Sequence, residues 1–353
     1  MSRPKLPALP CLLLLAAAAV RVVPAAADAR PIAIVIHGGA GVIEPARMTP
    51  AKEASYRAGL AAALDAGYAV LERGGTSLDA VTAAVRTMED DPQFNAGRGA
   101  VLNHEGDAEL DAAIMDGNGP RAGAVAAVRH VKNPIELARL VMERSPHVLL
   151  VADGAEEFAL DQGVVLVSRS YFRTEARERE LEEERPAEQA RTKSATGRLQ
   201  DTPRPSAAPG SMGTVGAVAL DRAGNLAAAT STGGLTNKRP GRVGDSPLIG
   251  AGTYANNNQS CAVSGTGQGE YFIRGVVAYD VCALVQYRHL KLAQAVHQVI
   301  QEKLPRAGGQ GGVIALDAAG DIAMDFNSVG MFRAARDSRG RRDIAMYRDG
   351  AQR

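Results

Sequence analysis

Gly213-Thr214-Val215 opens an apolar run, and its threonine is a candidate nucleophile if the chain breaks in front of it. A free α-amine titrates at about 7.7–8.0, so a threonine that starts a chain carries its own base beside its hydroxyl. Read alone, Thr214 is an ordinary β-branched strand residue. Three features favour the chemical reading. The six histidines (His37, His104, His130, His147, His289, His297) show no Ser-His-Asp, Cys-His, H-x-H, H-E-x-x-H or GxSxG arrangement. Any catalysis therefore needs a base other than histidine. Gly213 gives the backbone freedom for the Thr214 hydroxyl to reach the carbonyl ahead of it. Finally, the preceding residues 169–213 are densely charged and then rich in Ser, Pro, Ala and Gly, as in a segment that can move away once cut.

Downstream, Arg242-Val243-Gly244-Asp245 sets a guanidinium and a carboxylate three positions apart around a glycine. Arginine can hold a carboxylate with two parallel donors, and aspartate can accept from an ammonium, so the pair suits one small zwitterion. The bland alternative is a surface ion pair of little weight. Thr266-Gly267-Gln268-Gly269 offers a hydroxyl and a backbone N–H for an oxyanion, each such donor worth ~2.7–4 kcal/mol. Its glycines lack G-x-G-x-x-G spacing, so a tight turn is preferred to a dinucleotide loop. Asn95, in Phe94-Asn95-Ala96-Gly97, reads equally as a turn residue.

The elements that must position these groups follow from periodicity. Residues 32–36 (IAIVI) read as a buried strand running into a tight turn at His37-Gly38-Gly39-Ala40-Gly41. Thr49-Pro50 starts a helix carrying Tyr56, Leu60, Leu64, Tyr68 and Leu71 on one face, ended by Gly74-Gly75. A second helix shows Leu78, Val81, Val85 and Met88. Strands are predicted over 110–115 and 124–128, and a helix from Asn133-Pro134 to Ser145-Pro146. Residues 218–228 and 314–324 share the pattern ALD-x-A-G-[N/D]-[L/I]-A and read as two β-hairpins. Amphipathic helices are predicted over 276–285 and 292–304. Helices in blocks and hairpins in blocks indicate an α+β layered sandwich. The charged segment reads as a mobile surface insertion, with part of it a solvated helix.

The 353 residues are 46% hydrophobic with a net charge of +1, enough for one large core and no reason to expect a nucleic-acid partner. A basic start, the apolar run 11–20 and Pro24-Ala25-Ala26-Ala27 read as a secretory signal over 1–27, too short to span a membrane. Export to a bacterial periplasm is expected, with no membrane partner. Cys261 and Cys282 then remain. They could form a bridge, but Cys282 lies in an apolar helical stretch, and a buried free thiol is the preferred reading.

Taken together, 213–257 (GTVGAVALDRAGNLAAATSTGGLTNKRPGRVGDSPLIGAGTYANN) resembles the nucleophile region of the plant-type L-asparaginase/isoaspartyl peptidase family. IHGGAG (36–41), FNAGRGAVL (94–102), ELDAAIMDG (109–117) and NPIELARLVMERSPHV agree with it. The match runs from Ile32 to GMFRA (330–334), omitting the charged segment. The resemblance implies a four-layer αββα sandwich of the N-terminal-nucleophile hydrolase type. It also implies a precursor cut between Gly213 and Thr214 into an α subunit (28–213) and a β subunit (214–353), two such pairs forming an (αβ)2 heterotetramer. It assigns Thr214 as nucleophile, Thr232 as its hydrogen-bonding threonine and Thr266 and Gly267 as the oxyanion site, with Asn95 nearby. Arg242, Val243, Gly244, Asp245, Gln268 and Gly269 would line the substrate site with Thr266 and Gly267. No catalytic cofactor is implied. A structural Na+ is, held by main-chain carbonyls of Met88, Glu89, Asp91, Phe94, Ala96 and Arg98. ANNNQSCAVSG (255–265) is one residue longer than the family pattern.

The resulting expectation is a self-processing hydrolase of L-asparagine and N-terminal isoaspartyl peptides, which share a free α-amine and α-carboxylate beside a β-carbonyl. A glycosylasparaginase-like hydrolase and a non-catalytic periplasmic amino-acid-binding protein are the alternatives. HGGAG disfavours the first, and the joint presence of Thr214, Thr232, Arg242, Asp245 and Thr266 disfavours the second.

Overall fold

The computed structural model describes residues 30–41, 48–194 and 213–348. The expected signal segment lies outside them, and among the described residues no helix is long and apolar enough to cross a membrane. The strands are β1 (Ala33–Gly41), β2 (Leu110–Asp116), β3 (Arg121–Val128), β4 (Leu149–Val151), β5 (Val215–Leu220) and β6 (Leu226–Thr232), followed by β7 (Thr253–Asn256), β8 (Cys261–Gly267), β9 (Gly311–Leu316), β10 (Ile322–Phe326), β11 (Gly330–Asp337) and β12 (Arg342–Tyr347). The helices are α1 (Pro50–Glu72), α2 (Ser77–Asp90), α3 (Pro134–Arg144), α4 (Ala152–Asp161), α5 (Glu175–Ser194), α6 (Gly269–Gly275), α7 (Val277–Arg288) and α8 (Leu292–His297). The last continues through a π-helical stretch, Gln298–Lys303, into a closing turn, α9 (Leu304–Arg306).

The strands form an eight-stranded sheet, ordered β12-β11-β1-β5-β6-β2-β3-β4, and a four-stranded sheet, β10-β9-β8-β7. Only the β3–β4 pair is parallel. Side-chain alternation gives the central strands of the first sheet two apolar faces. Ile34 and Ile36 of β1 and Val215, Ala217 and Ala219 of β5 pack with Leu60, Leu64, Val81 and Val85 of α1 and α2. Ala33, Val35, Val218 and Leu220 point the other way, onto Ala262, Ile314 and Leu316 of the second sheet. The outer face of that sheet is covered by Val281, Cys282, Val296 and Ile300. Helices, sheet, sheet and helices make the expected αββα sandwich, because sheets apolar on both faces need cover on each side.

Both predicted hairpins form, one in each sheet: β5–β6 and β9–β10. Helix α1 begins as predicted, with Pro50 in its first turn and the Thr49 hydroxyl accepting from the Lys52 N–H. The added residue before β8 is absorbed in the turn at Asn257–Gln259, where Ser260 adopts a left-handed conformation (φ 50°).

Three expectations are corrected. The HGGAG run is strand rather than turn: β1 continues to Gly41 along β11, with a bulge between His37 and Gly39. Glycine at φ 116° permits that bulge without ending the pairing. The charged segment forms the helix expected for part of it, but over residues 169–186 it is docked rather than a mobile insertion. Phe172 is fully buried, and α5 docks through buried Arg177 and Leu181; residues 195–212 lie outside the described structure. Cys261 and Cys282 are bonded, because β8 starts directly beneath the inward face of α7, with Cα atoms 5.5 Å apart.

The bridge closes a loop with a sequence separation of 21 residues. Cys282→Ser is therefore expected to cost about 3 kcal/mol of stability, mainly by freeing the unfolded chain. A urea midpoint equal to that of the parent protein under non-reducing conditions would contradict this.

Candidate active site

Thr214 stands at the mouth of β5, and the β5–β6 register (Val215 opposite Ser231) brings it beside Thr232. The buried Thr214 Oγ1 donates to Thr232 Oγ1 at 3.1 Å. Thr232 Oγ1 also accepts the Gly234 N–H at 3.0 Å, so its position is fixed from the far side. Asn95 secures that turn: its Nδ2 donates to Gly234 O (2.8 Å), its own carbonyl accepts the Gly233 N–H, and its Oδ1 accepts the Val101 N–H.

Gly213, still joined to Thr214, lies between β1 and β8. A Cβ on Gly39 would come 2.5 Å from Gly213 O, and one on Gly213 would come 2.7 Å from Thr266 Oγ1. Neither Gly39 nor Gly213 has room for a Cβ, so the Gly213 peptide lies directly against the β1 backbone on one side and the Thr266 hydroxyl on the other. Thr266 Oγ1 accepts the Ala40 N–H at 3.1 Å, which leaves the hydroxyl proton to be given elsewhere. Gly267 ends β8, and Gln268 precedes α6, its Oε1 accepting the Gln310 N–H.

The loop carrying Val243 and Gly244 places Arg242 and Asp245 against the same glycine: a Cβ on Gly269 would lie 2.9 Å from Asp245 Oδ1 and 3.0 Å from Arg242 Nη2. The pair is no surface ion pair. Asp245 is 3% exposed, and its Oδ2 has no hydrogen-bond partner among the described residues. Burial pushes its carboxyl up to about 7, against the opposing pull of a backbone N–H and of Arg242. Arg242 gives its Nε and Nη2 to the Glu270 carboxylate at 3.1 and 3.0 Å. The Nη1–Nη2 edge remains the one for a second carboxylate.

Sequence reasoning missed a buried polar chain behind the nucleophile. His37, fully buried, spans Thr214 O (Nδ1, 3.0 Å) and Ser264 Oγ (Nε2, 2.9 Å). Burial lowers its pKa to about 3, partly countered by the Thr214 carbonyl. The ring is neutral, so Nδ1–H donates to Thr214 and Nε2 accepts from Ser264. Ser264 meets Thr230 at 2.7 Å, and Thr253 Oγ1 donates to Thr230 Oγ1 or to Ser246 O. With both ring nitrogens engaged, His37 holds backbone and is no general base. The signal was present only as His37 and Ser264 lying beside the HGGAG and TG motifs, 227 positions apart.

Met88, Glu89 and Asp90 end α2, and the chain from Asp91 to Arg98 continues in tight turns into a 3-10 turn at Gly97–Gly99. Carbonyls of Met88, Asp91, Phe94 and Ala96 each accept one backbone N–H (from Asp91, Phe94, Ala96 and Gly99), which leaves each a second lone pair. These carbonyls fit a main-chain-ligated cation, whereas no side-chain cluster suited to a metal occurs among the described residues.

Comparison with known proteins shows the class to which this arrangement belongs. The asparaginase family model matches residues 30–346. The chain is 54% identical to the isoaspartyl peptidase of Salmonella typhimurium, over 85% of this chain and 94% of that protein. It is 53% identical to the isoaspartyl peptidase of Escherichia coli (85% and 91% covered). Against the probable isoaspartyl peptidase/L-asparaginase 2 of Arabidopsis thaliana it is 41% identical (89% and 98% covered). The chain belongs to the asparaginase family.

Asp245 implies a pH dependence of binding. Below about 7 the carboxyl is neutral and must release a proton to pair with an ammonium; above it the anion is ready. Affinity for aspartate should therefore rise with pH, by up to about tenfold per unit below 7, and level off above it. Calorimetric titration from pH 5 to 8 would measure this, and Asp245→Asn should flatten the profile. A parent profile already flat below pH 6 would refute the assignment.

Proposed function

We propose that the chain cuts itself between Gly213 and Thr214 and then hydrolyses L-asparagine and N-terminal isoaspartyl peptides, releasing L-aspartate. The carrying observation is the convergence on Gly213-Thr214 of two fixed hydroxyls, Thr232 at 3.1 Å from Thr214 Oγ1 and Thr266 against Gly213. Thr214 Oγ1 attacks the Gly213 carbonyl, the C–N bond breaks to free the Thr214 amine, and water cleaves the resulting ester. The subunits would be 28–213 and 214–353, assembled as (αβ)2.

In the cut enzyme the α-amine takes the Thr214 hydroxyl proton as the oxygen attacks the substrate's β-carbonyl. Thr266 Oγ1–H and the Gly267 N–H stabilise the oxyanion, and the amine returns its proton to the leaving ammonia or peptide amine. Water then hydrolyses the acyl-enzyme. Asp245 takes the substrate ammonium and Arg242 its α-carboxylate, with Val243, Gly244, Gln268 and Gly269 shaping the site. A monovalent cation on the Met88, Glu89, Asp91, Phe94, Ala96 and Arg98 carbonyls would stiffen the Asn95 loop without entering the chemistry. Export is supported by the disulfide, since such bonds persist in oxidising compartments.

Thr214→Ala should run as one band on a denaturing gel and release no ammonia from asparagine, while the parent gives two bands and ammonia. An uncut, active parent would sink the proposal. Thr266→Ala, if cut, should lose about 10²–10³-fold in kcat on both asparagine and β-aspartyl-leucine. Loss in KM alone would reassign this hydroxyl to binding.

A further inference from the structure

Helix α5 belongs to the segment upstream of the cleavage site, yet it is bolted to the site's loops. Arg177 is 6% exposed; its Nε donates to Gly99 O at 2.7 Å and its Nη2 to Gln93 O at 3.4 Å. These two carbonyls bracket Asn95. Arg177 Nη1 also donates to Glu180 Oε2 at 2.7 Å, and Glu180 Oε1 accepts from the Thr236 hydroxyl at 2.5 Å. Arg185 Nη2 donates to His104 O. Leu181, buried between these groups, adds apolar cover, as Phe172 does just before the helix.

From Arg177 the contacts form an unbroken series. Arg177 holds the turn carrying Asn95, Asn95 holds Gly233 and Gly234, and Gly234 N–H holds Thr232 Oγ1, the acceptor of the Thr214 hydroxyl. Glu180 grips the same downstream loop at Thr236. Detaching the helix would expose the buried Leu181 and Phe172 and take the Arg177 donors from the Gly99 and Gln93 carbonyls, and a cut at Gly213 relieves neither cost.

We propose that α5 is a retained brace: after cleavage the chain up to about residue 186 stays docked, and Arg177 and Glu180 act as positioning residues for the Thr232–Thr214 hydroxyl pair. The inference rests on the proposed hydrolase function and assigns a part of the α subunit to that same site. Neither residue touches substrate. Small displacements of a nucleophile lower turnover more than ground-state binding, which rests on Arg242 and Asp245.

The test uses cut enzyme, with cleavage confirmed on a denaturing gel. Arg177→Met and Glu180→Gln should each lower kcat on β-aspartyl-leucine, Arg177→Met by about ten- to a hundredfold, with KM within about twofold of the parent. Arg177→Lys should recover part of that loss, which a space-filling role would not predict. Hydrogen exchange over residues 175–186 should be equally slow in the cut parent and in uncut Thr214→Ala. Unchanged kcat in both variants, or full exchange of 175–186 in the cut parent, overturns the brace. Should Arg177→Met fail to fold, Glu180→Gln and the exchange measurement still decide. A parent that is cut but inactive contradicts the hydrolase reading instead, and leaves the exchange result to judge the helix.

Discussion

A hydroxyl at the end of a buried strand has nowhere to send its proton unless a base already sits beside it. In the proposed function a chain terminus meets that need at Thr214, because a base supplied by the residue's own amine requires no further side chain in the site. The scissile peptide must then lie where its carbonyl can be attacked and where the same donors later serve substrate. That constraint explains why backbone flanks Gly213: Gly39 on one side leaves no room for a Cβ, and Thr266 closes the other. It also explains why β1 runs on through its glycines along β11 instead of turning away, since a turn would withdraw both Gly39 and the Ala40 N–H that orients Thr266.

The sandwich supplies what this geometry needs, which is several strand ends at one place. β5 and β6 are adjacent in the larger sheet and present Thr214 and Thr232 on the same rim, while β8 of the smaller sheet brings Ser264 and Thr266 across the interface. The hydroxyl chain of Ser264, Thr230 and Thr253 joins the sheets through hydrogen bonds beside the apolar contact of Ala33, Val35, Val218 and Leu220 with Ala262, Ile314 and Leu316. Such a buried polar seam fixes one sliding register between sheets, since a shift would strand His37 and three hydroxyls without partners.

What the sequence made legible was whatever has a period or a motif. The capped start of α1, its apolar face, and both ALD-x-A-G hairpins appear where alternation and turn residues put them. Thr214, Thr232, Arg242, Asp245 and Thr266 were found through motif, and the fold brings them together. The docking of α5, expected only as a solvated helix, escaped because its inward residues, Arg177, Glu180, Leu181, Glu184 and Arg185, follow helical spacing but are nearly all charged. Periodicity of hydrophobicity cannot register a face that docks through buried ions. His37 escaped for a different reason: its partners lie in other strands, and strand pairing across the chain is invisible to local spacing. The disulfide needed the same information, namely that α7 packs on β8.

Charge accounting then connects the site to its ligand. Arg242 is balanced by Glu270, and the buried Lys238 lies 4.0 Å from Asp111, burial pushing the lysine down and the aspartate up. Glu89, buried behind Ser231 and accepting its hydroxyl at 2.6 Å, is raised to about 8 by burial and is largely protonated at neutral pH. Asp245, beside Arg242, is likewise buried with one oxygen unpartnered among the described residues, as are Glu89 and Asp111. An isolated buried anion is unfavourable, and it becomes favourable only when a cation arrives with its own hydrogen bonds. An amide lacking an α-ammonium would leave Asp245 as it is, whereas a zwitterion satisfies it and lays its carboxylate on the remaining edge of Arg242. In the proposed function, selectivity for a free α-amine beside the scissile β-carbonyl rests on Asp245 gaining a cationic partner only when substrate binds.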